Sequence, residues 1–187
     1  DKAIQDYTKA IEFIPDKIYG MEVTQDFKRT WLYEIYDLRG ETYYKLKQYD
    51  KAIQDYTKAI ELMPDDANAY HCRGYINSEL KQYDKAFQDY SKAIELKPND
   101  ANPYYNRGSE YSDLKQYDKA IQDYTKAIEL KPDFAEAYCN RGNAYSDLEQ
   151  YDKAIQDYSR AIELMPGAAI SYYNRGNRYL ALKKYDK

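Results

Sequence analysis

The chain has 187 residues, with 28 Lys and Arg against 32 Asp and Glu, the two signs interleaved to a formal net charge of −4. General nucleic-acid binding needs a basic face that displaces counterions from phosphates, and the charge pattern provides none. The sequence has no stretch of about 18 apolar residues that would cross a bilayer, and its 43% hydrophobic content is that of a folded chain.

Cys72 and Cys139 lack the spacing of a disulfide framework and fit a reducing compartment, the cytoplasm. Tyr outnumbers Phe by 25 to 4, so the core is expected to be built from amphipathic aromatics whose hydroxyls need partners.

In chain order, the first helix is expected over Asp1 to about Ile14. Ala3, Ile4, Tyr7, Ala10, Ile11 and Ile14 recur at three- and four-residue steps, a helical stripe. Pro15 ends it, because proline lacks an amide donor and restricts the residue before it. The pattern of this helix returns from Tyr49 to Leu62, Tyr83 to Leu96, Tyr117 to Leu130 and Tyr151 to Leu164, a constant step of 34 residues. Pro64, Pro98, Pro132 and Pro166 follow these copies, and Tyr185 to Lys187 resembles the start of another. Self-similarity at a fixed step of this size marks an array whose units bury their apolar faces against neighbours.

Pro15 to Gly40 is 15 residues longer than Pro64 to Gly74, which places an insertion at 16–31. Phe27, Trp31 and Ile35 are four apart, so the next helix is expected to extend back toward Thr24, whose hydroxyl suits an N-cap. Asp16 to Val23, with Gly20, is expected as a loop. Such an insertion is tolerated cheaply at a surface; the functional alternative is a contact surface centred on Met21, Phe27 and Trp31.

A second helical pattern follows each later proline, as in Ala135 to Leu148 with Ala137, Tyr138, Arg141, Gly142, Tyr145 and Leu148 on related faces. Gly142 recurs as Gly40, Gly74, Gly108 and Gly176. A glycine inside a helix costs roughly 1 kcal/mol against alanine, so its recurrence predicts a close helix contact.

Tyr138, Gly142, Tyr145, Ala154, Tyr158, Ala161 and Pro166 fall at the spacing of the tetratricopeptide repeat. Outside the insertion, essentially the whole chain resembles that family. The resemblance implies an all-α solenoid of helix A–turn–helix B hairpins, a right-handed superhelix of about ten helices. Residues 1–15 would be helix B of a truncated first repeat. Full repeats would span 32–64, 67–98, 101–132 and 135–166, with 169–187 as a last helix A. Two departures stand out. Arg39, Arg73, Arg107, Arg141 and Arg175 replace the leucine usual before the glycine. Lys47, Lys81, Lys115, Glu149 and Lys183 occupy the A–B turn, where glycine is common, so that turn is expected to avoid a glycine-dependent conformation.

Little in the chain suggests catalysis or a bound cofactor. His71 is the only histidine, and its neighbour Cys72 points about 100° away on a helix. No metal site, glycine-rich phosphate loop or CxxC is present. The recurring arginines instead call for partners. Asp55, Asp89, Asp123 and Asp157 lie sixteen residues after one arginine and eighteen before the next. Either spacing would make a structural ion pair of Arg73, Arg107, Arg141 or Arg175 at each packing seam.

By the same resemblance, helix A would line a concave groove that takes a protein or peptide. The groove positions are His71 and Tyr75; Tyr105, Asn106 and Ser109; Asn140 and Asn143; and Tyr173, Asn174 and Asn177. Asn106, Asn140 and Asn174 recur at one pitch and carry donors and acceptors for an extended peptide backbone. The carboxylate-clamp subtype is not expected, since Asp37 and Glu41 stand where a lysine or arginine would be needed. Two further readings stay open: head-to-tail self-association through uncapped ends, and service as an accessory domain of an enzyme.

Overall fold

A computed structural model describes residues 1–18 and 21–185. Ten helices run α1 (Lys2–Glu12), α2 (Gln25–Lys45), α3 (Tyr49–Leu62), α4 (Ala67–Glu79), α5 (Tyr83–Leu96), α6 (Ala101–Asp113), α7 (Tyr117–Leu130), α8 (Ala135–Asp147), α9 (Tyr151–Leu164) and α10 (Ala169–Tyr185). Contacts cluster within two units, Asp1–Pro98 and Asn99–Lys187. In the first, α1 packs on α2, α2 on α3, α3 on α4 and α4 on α5; in the second, α6 to α10 pack pairwise in order, and α8 also touches α6 and α10.

The ends of the helices follow from their sequence. Met63, Lys97, Lys131 and Met165 leave the helical region at φ between −131° and −137°, as the prolines after them require. Asp66 and Asp100 cap α4 and α6 by accepting from backbone amides two or three residues on. Thr24 caps α2, its Oγ1 accepting from Phe27 N at 3.2 Å. The first helix is shorter than its apolar stripe, ending at Glu12.

The segment expected as a loop is partly paired. β1 (Lys17–Ile18) and β2 (Met21–Glu22) form a two-stranded antiparallel ladder. Gly20 lies outside the described residues. Lys28 pairs with Asp16 and ties the hairpin to α2, and that contact holds the Asp16 carboxyl below its ordinary range.

The A–B turns correct the sequence reading. Lys47, Lys81, Lys115 and Glu149 adopt the left-handed conformation, φ 57–59°. The hydrogen bonds explain why. Gln48 N donates to Tyr43 O at 2.9 Å and Lys47 N to Tyr44 O at 2.8 Å, and the same pair of bonds recurs at Gln82, Gln116 and Gln150. This is a Schellman closure, which satisfies the last carbonyls of helix A and demands a left-handed residue whether or not glycine supplies it. A non-glycine residue there carries a penalty of about 1–2 kcal/mol.

The core lies between paired A and B helices. Ala52, Ala59, Ala86, Ala93, Ala120, Ala127, Ala154 and Ala161 are essentially fully buried, as are the rings of Tyr56, Tyr90, Tyr124 and Tyr158. Each such tyrosine contributes about 1.5–3 kcal/mol of apolar burial. The small residues let the ring lie flat on the facing helix. A methyl group at Gly74 would meet the Tyr90 ring at 3.0 Å, and one at Gly142 the Tyr158 ring at 2.9 Å. Gly176 departs from the expectation, with nothing within 4 Å.

Candidate functional site

Two kinds of recurring polar structure emerge, one at the seams and one on the A-helix face. At the seams, Arg39, Arg73, Arg107 and Arg141 each make a forked pair with the aspartate sixteen residues on. Arg73 Nε and Nη2 donate to Asp89 at 3.0 and 2.7 Å. Arg107 grips Asp123 and Arg141 grips Asp157 in the same way, at 2.7–2.8 Å, as does Arg39 with Asp55. The remaining guanidinium nitrogen of Arg73 reaches back to Thr57, and that of Arg141 to Thr125. The eighteen-residue spacing carries no ion pair among the described residues. Arg175 is a correction: its position sixteen residues on lies beyond residue 187, and it donates to Ser159 Oγ at 2.9 Å rather than to an aspartate.

The pairs raise the Arg39 and Arg107 guanidinium pKa values chiefly through the hydrogen bond to the aspartate. For Arg141 burial pulls the other way and is the largest influence, yet the net shift is still upward. The forks join the A and B helices of one hairpin.

On the A-helix face of the second unit, the residues singled out from sequence come together, in a form the sequence did not reveal. Asn140 Nδ2 donates to Tyr105 Oη at 3.0 Å. Asn143 Oδ1 accepts twice, from Tyr158 Oη at 2.8 Å and from Asn174 Nδ2 at 2.9 Å. Ser109 accepts from Tyr124 Oη at 3.2 Å and donates to the Tyr105 carbonyl. The asparagines therefore tie successive A helices together. Asn140 Oδ1, Asn143 Nδ2 and Asn174 Oδ1 remain without a partner among the described residues. Asn106 and Asn177 are half-buried on α6 and α10, and Tyr173 is 70% exposed.

A cavity of about 570 Å³ opens on this face, lined by Asn143, Asn174, Tyr117, Asp113, Asp147 and Arg178 among others. Lys115 also lines it, so charges of both signs surround an amide floor. Arg178 lies over the Tyr151 ring at 5.3 Å. Sequence reasoning missed Tyr117, at the start of α7, and Arg178, next to Asn177 on α10.

The first unit presents a different face. Tyr33 Oη donates to Asp66 at 2.8 Å. Asp37 is half-buried with Oδ1 unpaired, and burial, then Asp66 and Glu41, pushes its carboxyl above the ordinary range. Tyr75 meets Tyr44 edge-on at 5.8 Å, and His71 lies 6.0 Å from the Tyr90 ring. Burial pushes the Cys72 thiol up to about 11, which leaves it a poor nucleophile. Among the described residues, no group of three His, Cys, Asp or Glu is placed to hold a metal ion, and no helix is long and apolar enough to cross a membrane.

Helix-turn-helix hairpins repeated at this step define a tetratricopeptide array. Tetratricopeptide repeat models match residues 67–100, 135–167 and 90–122, and a TPR repeat model matches 40–81 and 108–149. The chain belongs to the tetratricopeptide-repeat family. No curated relative matches it significantly. Among solved structures it is similar to MamA, at 28% identity over 89% of this chain and 88% of that one, TM-score 0.74. It is also similar to the first TPR of Spaghetti (RPAP3) bound to the HSP90 peptide SRMEEVD, at 28% identity over 63% and 93%, TM-score 0.61. YrrB, a TPR protein with an unusual peptide-binding site, shares the fold at 23% identity over 96% and 85%, TM-score 0.72.

Proposed function

We propose that the chain is a protein-interaction scaffold whose A-helix face holds an extended peptide segment. The observation that carries this reading is Asn143. Two hydrogen bonds to its Oδ1 fix its amide plane at the floor of the 570 Å³ cavity and leave its Nδ2 donors for a ligand. Asn140 and Asn174 each retain an acceptor beside it, so a row of donors and acceptors faces a peptide backbone at the pitch of the repeat. Tyr105 and Tyr173 add apolar contact area. The peptide-bound RPAP3 domain and the YrrB site are consistent with this mode of use.

The first unit does not suit an acidic peptide such as the SRMEEVD of the RPAP3 complex. Asp37, Glu41 and Asp66 on the first unit repel a carboxylate, and the matching positions His71, Tyr75, Tyr105 and Ser109 bring no lysine or arginine.

The test is selection of peptides from a displayed library, followed by affinity measurement with Asn140, Asn143 and Asn174 each changed to Ala. A loss of about tenfold per site is expected, the value of one or two buried hydrogen bonds. Unchanged affinity in all three variants removes the reading.

A second reading, end-to-end self-association, is favoured by α10. Ile170 and Leu180 are more than 60% exposed, and no ring covers Gly176. A sedimentation profile independent of concentration rejects it.

A further inference from the structure

The repeats agree almost everywhere along the seams, and one position breaks the agreement. Three residues after the glycine the chain has Tyr43, Asn77, Tyr111, Tyr145 and Tyr179. Where tyrosine stands, it lies against cations of its own hairpin. The Tyr145 ring has Arg141 at 5.9 Å and Lys153 at 5.2 Å; the Tyr43 ring has Arg39 at 5.8 Å and Lys51 at 5.4 Å. Lys119 lies 5.2 Å from the Tyr111 ring. The arginine has a second ring beside it, Tyr138 for Arg141 and Tyr36 for Arg39.

In the hairpin of α4 and α5 both cations remain and the ring is gone. Arg73 keeps Tyr70 at 5.7 Å, and among the described residues neither Arg73 nor Lys85 has a second aromatic neighbour. In the place of the ring is a cavity of about 670 Å³. Its walls include Ile53 and Thr57 of α3, Arg73 and Asn77 of α4, and Lys85 of α5. It opens among B-helix residues of the first unit. Asn77 is 3% exposed. Its Nδ2 donates to Asp89 at 3.1 Å, and its Oδ1 is buried without a hydrogen-bond donor.

We propose that this cavity is a binding site for a tyrosine side chain of a partner protein. The guest ring replaces the one that Asn77 deletes. It lies against the open face of the Arg73 guanidinium and beneath the Lys85 ammonium, as Tyr43 and Tyr145 do within their own hairpins. It enters from solvent and rests on the walls that Ile53, Thr57 and Asn77 form. The site needs nothing from the A-helix face, so it stands or falls independently of the peptide reading.

N-acetyl-tyrosinamide titrated into the isotope-labelled chain tests the proposal. Saturable shifts at Ile53, Thr57, Arg73, Asn77 and Lys85 are expected, with a Kd on the order of millimolar for so small a probe. N-acetyl-leucinamide, apolar but without a ring to face the two cations, should bind about threefold more weakly. Asn77→Tyr fills the cavity with the residue the other repeats use, so it should fold and lose the binding. Lys85→Ala changes an exposed residue and should weaken the probe without altering the helical spectrum. The proposal is overturned if no saturable shift appears at tens of millimolar, if Asn77→Tyr folds and responds like the parent, or if the two probes bind alike.

Discussion

The seams and the A-helix face are built from the same 34-residue unit and behave as opposites. At the seams the copies coincide: the Arg–Asp fork, the glycine and the tyrosine ring recur at nearly the same distances from α2–α3 to α8–α9. On the A-helix face they diverge, from an acidic set around Asp37 to the amide set around Asn143. Repetition is found where helices must interlock, and variation where a helix faces outward. The contrast implies that seam changes act on stability and that face changes act on binding.

The sharpest break of that contrast is Asp89→Ala. It strands the Arg73 cation at a site where the aspartate side chain is only 6% exposed, and removal of one partner of such a pair costs about 3–5 kcal/mol. Urea denaturation should show it, while the converse substitution of both partners by apolar residues should cost far less. Next are the glycines. Gly142→Ala places a methyl against the Tyr158 ring and should destabilise by about 1–3 kcal/mol. Gly176→Ala meets open space and should stabilise α10 by roughly 1 kcal/mol. Equal effects at the two positions would mean that helix approach is not what retains the glycine.

A smaller effect is expected at the turns. Lys81→Gly relieves the left-handed penalty and should raise stability by about 0.5–1 kcal/mol, net of the greater freedom of glycine in the unfolded chain. The smallest is on the A-helix face. Asp37→Asn should raise the melting temperature at neutral pH by the equivalent of less than about 1 kcal/mol, given partial exposure. The sign follows from the raised carboxyl pKa. The folded state holds the proton more tightly, so this carboxyl favours folding below the ordinary carboxylate range. That advantage is lost as pH rises through the folded value. The gap between variant and parent should therefore close on acidification.

Much of this was legible from residues. The step of the repeat, the prolines and the recurring glycine dictated the hairpins and their close contacts, and Thr24 announced the extended α2. Other features depended on geometry that spacing does not carry. A lysine in the A–B turn gave no hint of a left-handed residue, because the demand comes from carbonyls three and four positions back. Asn106, Asn140 and Asn174 read as a free ladder until the distance between successive A helices brought Asn140 onto Tyr105 and Asn174 onto Asn143. The seam arginines allowed two spacings, and only the packed hairpin selects sixteen. Asn77 was visible in the alignment of the copies against one another, but its consequence, a vacant place between two cations, required the neighbours in space.

The tyrosine-built core also gives the molecule reporters of its own integrity. Desolvation holds the Tyr56 and Tyr124 phenols well above their ordinary range and raises that of Tyr158 to about 12. Folding stability from these groups is intact below about pH 10 and is lost as pH climbs toward their folded values. Tyrosinate absorbance above pH 10 should therefore show a cooperative step as the seams open and the buried phenols reach solvent. Trp31, the one indole, sits on α2 beside Phe27, so its fluorescence watches the insertion while ultraviolet absorbance watches the repeats. Two optical signals from one sample can thus time the loss of the hairpin insertion against the loss of the array.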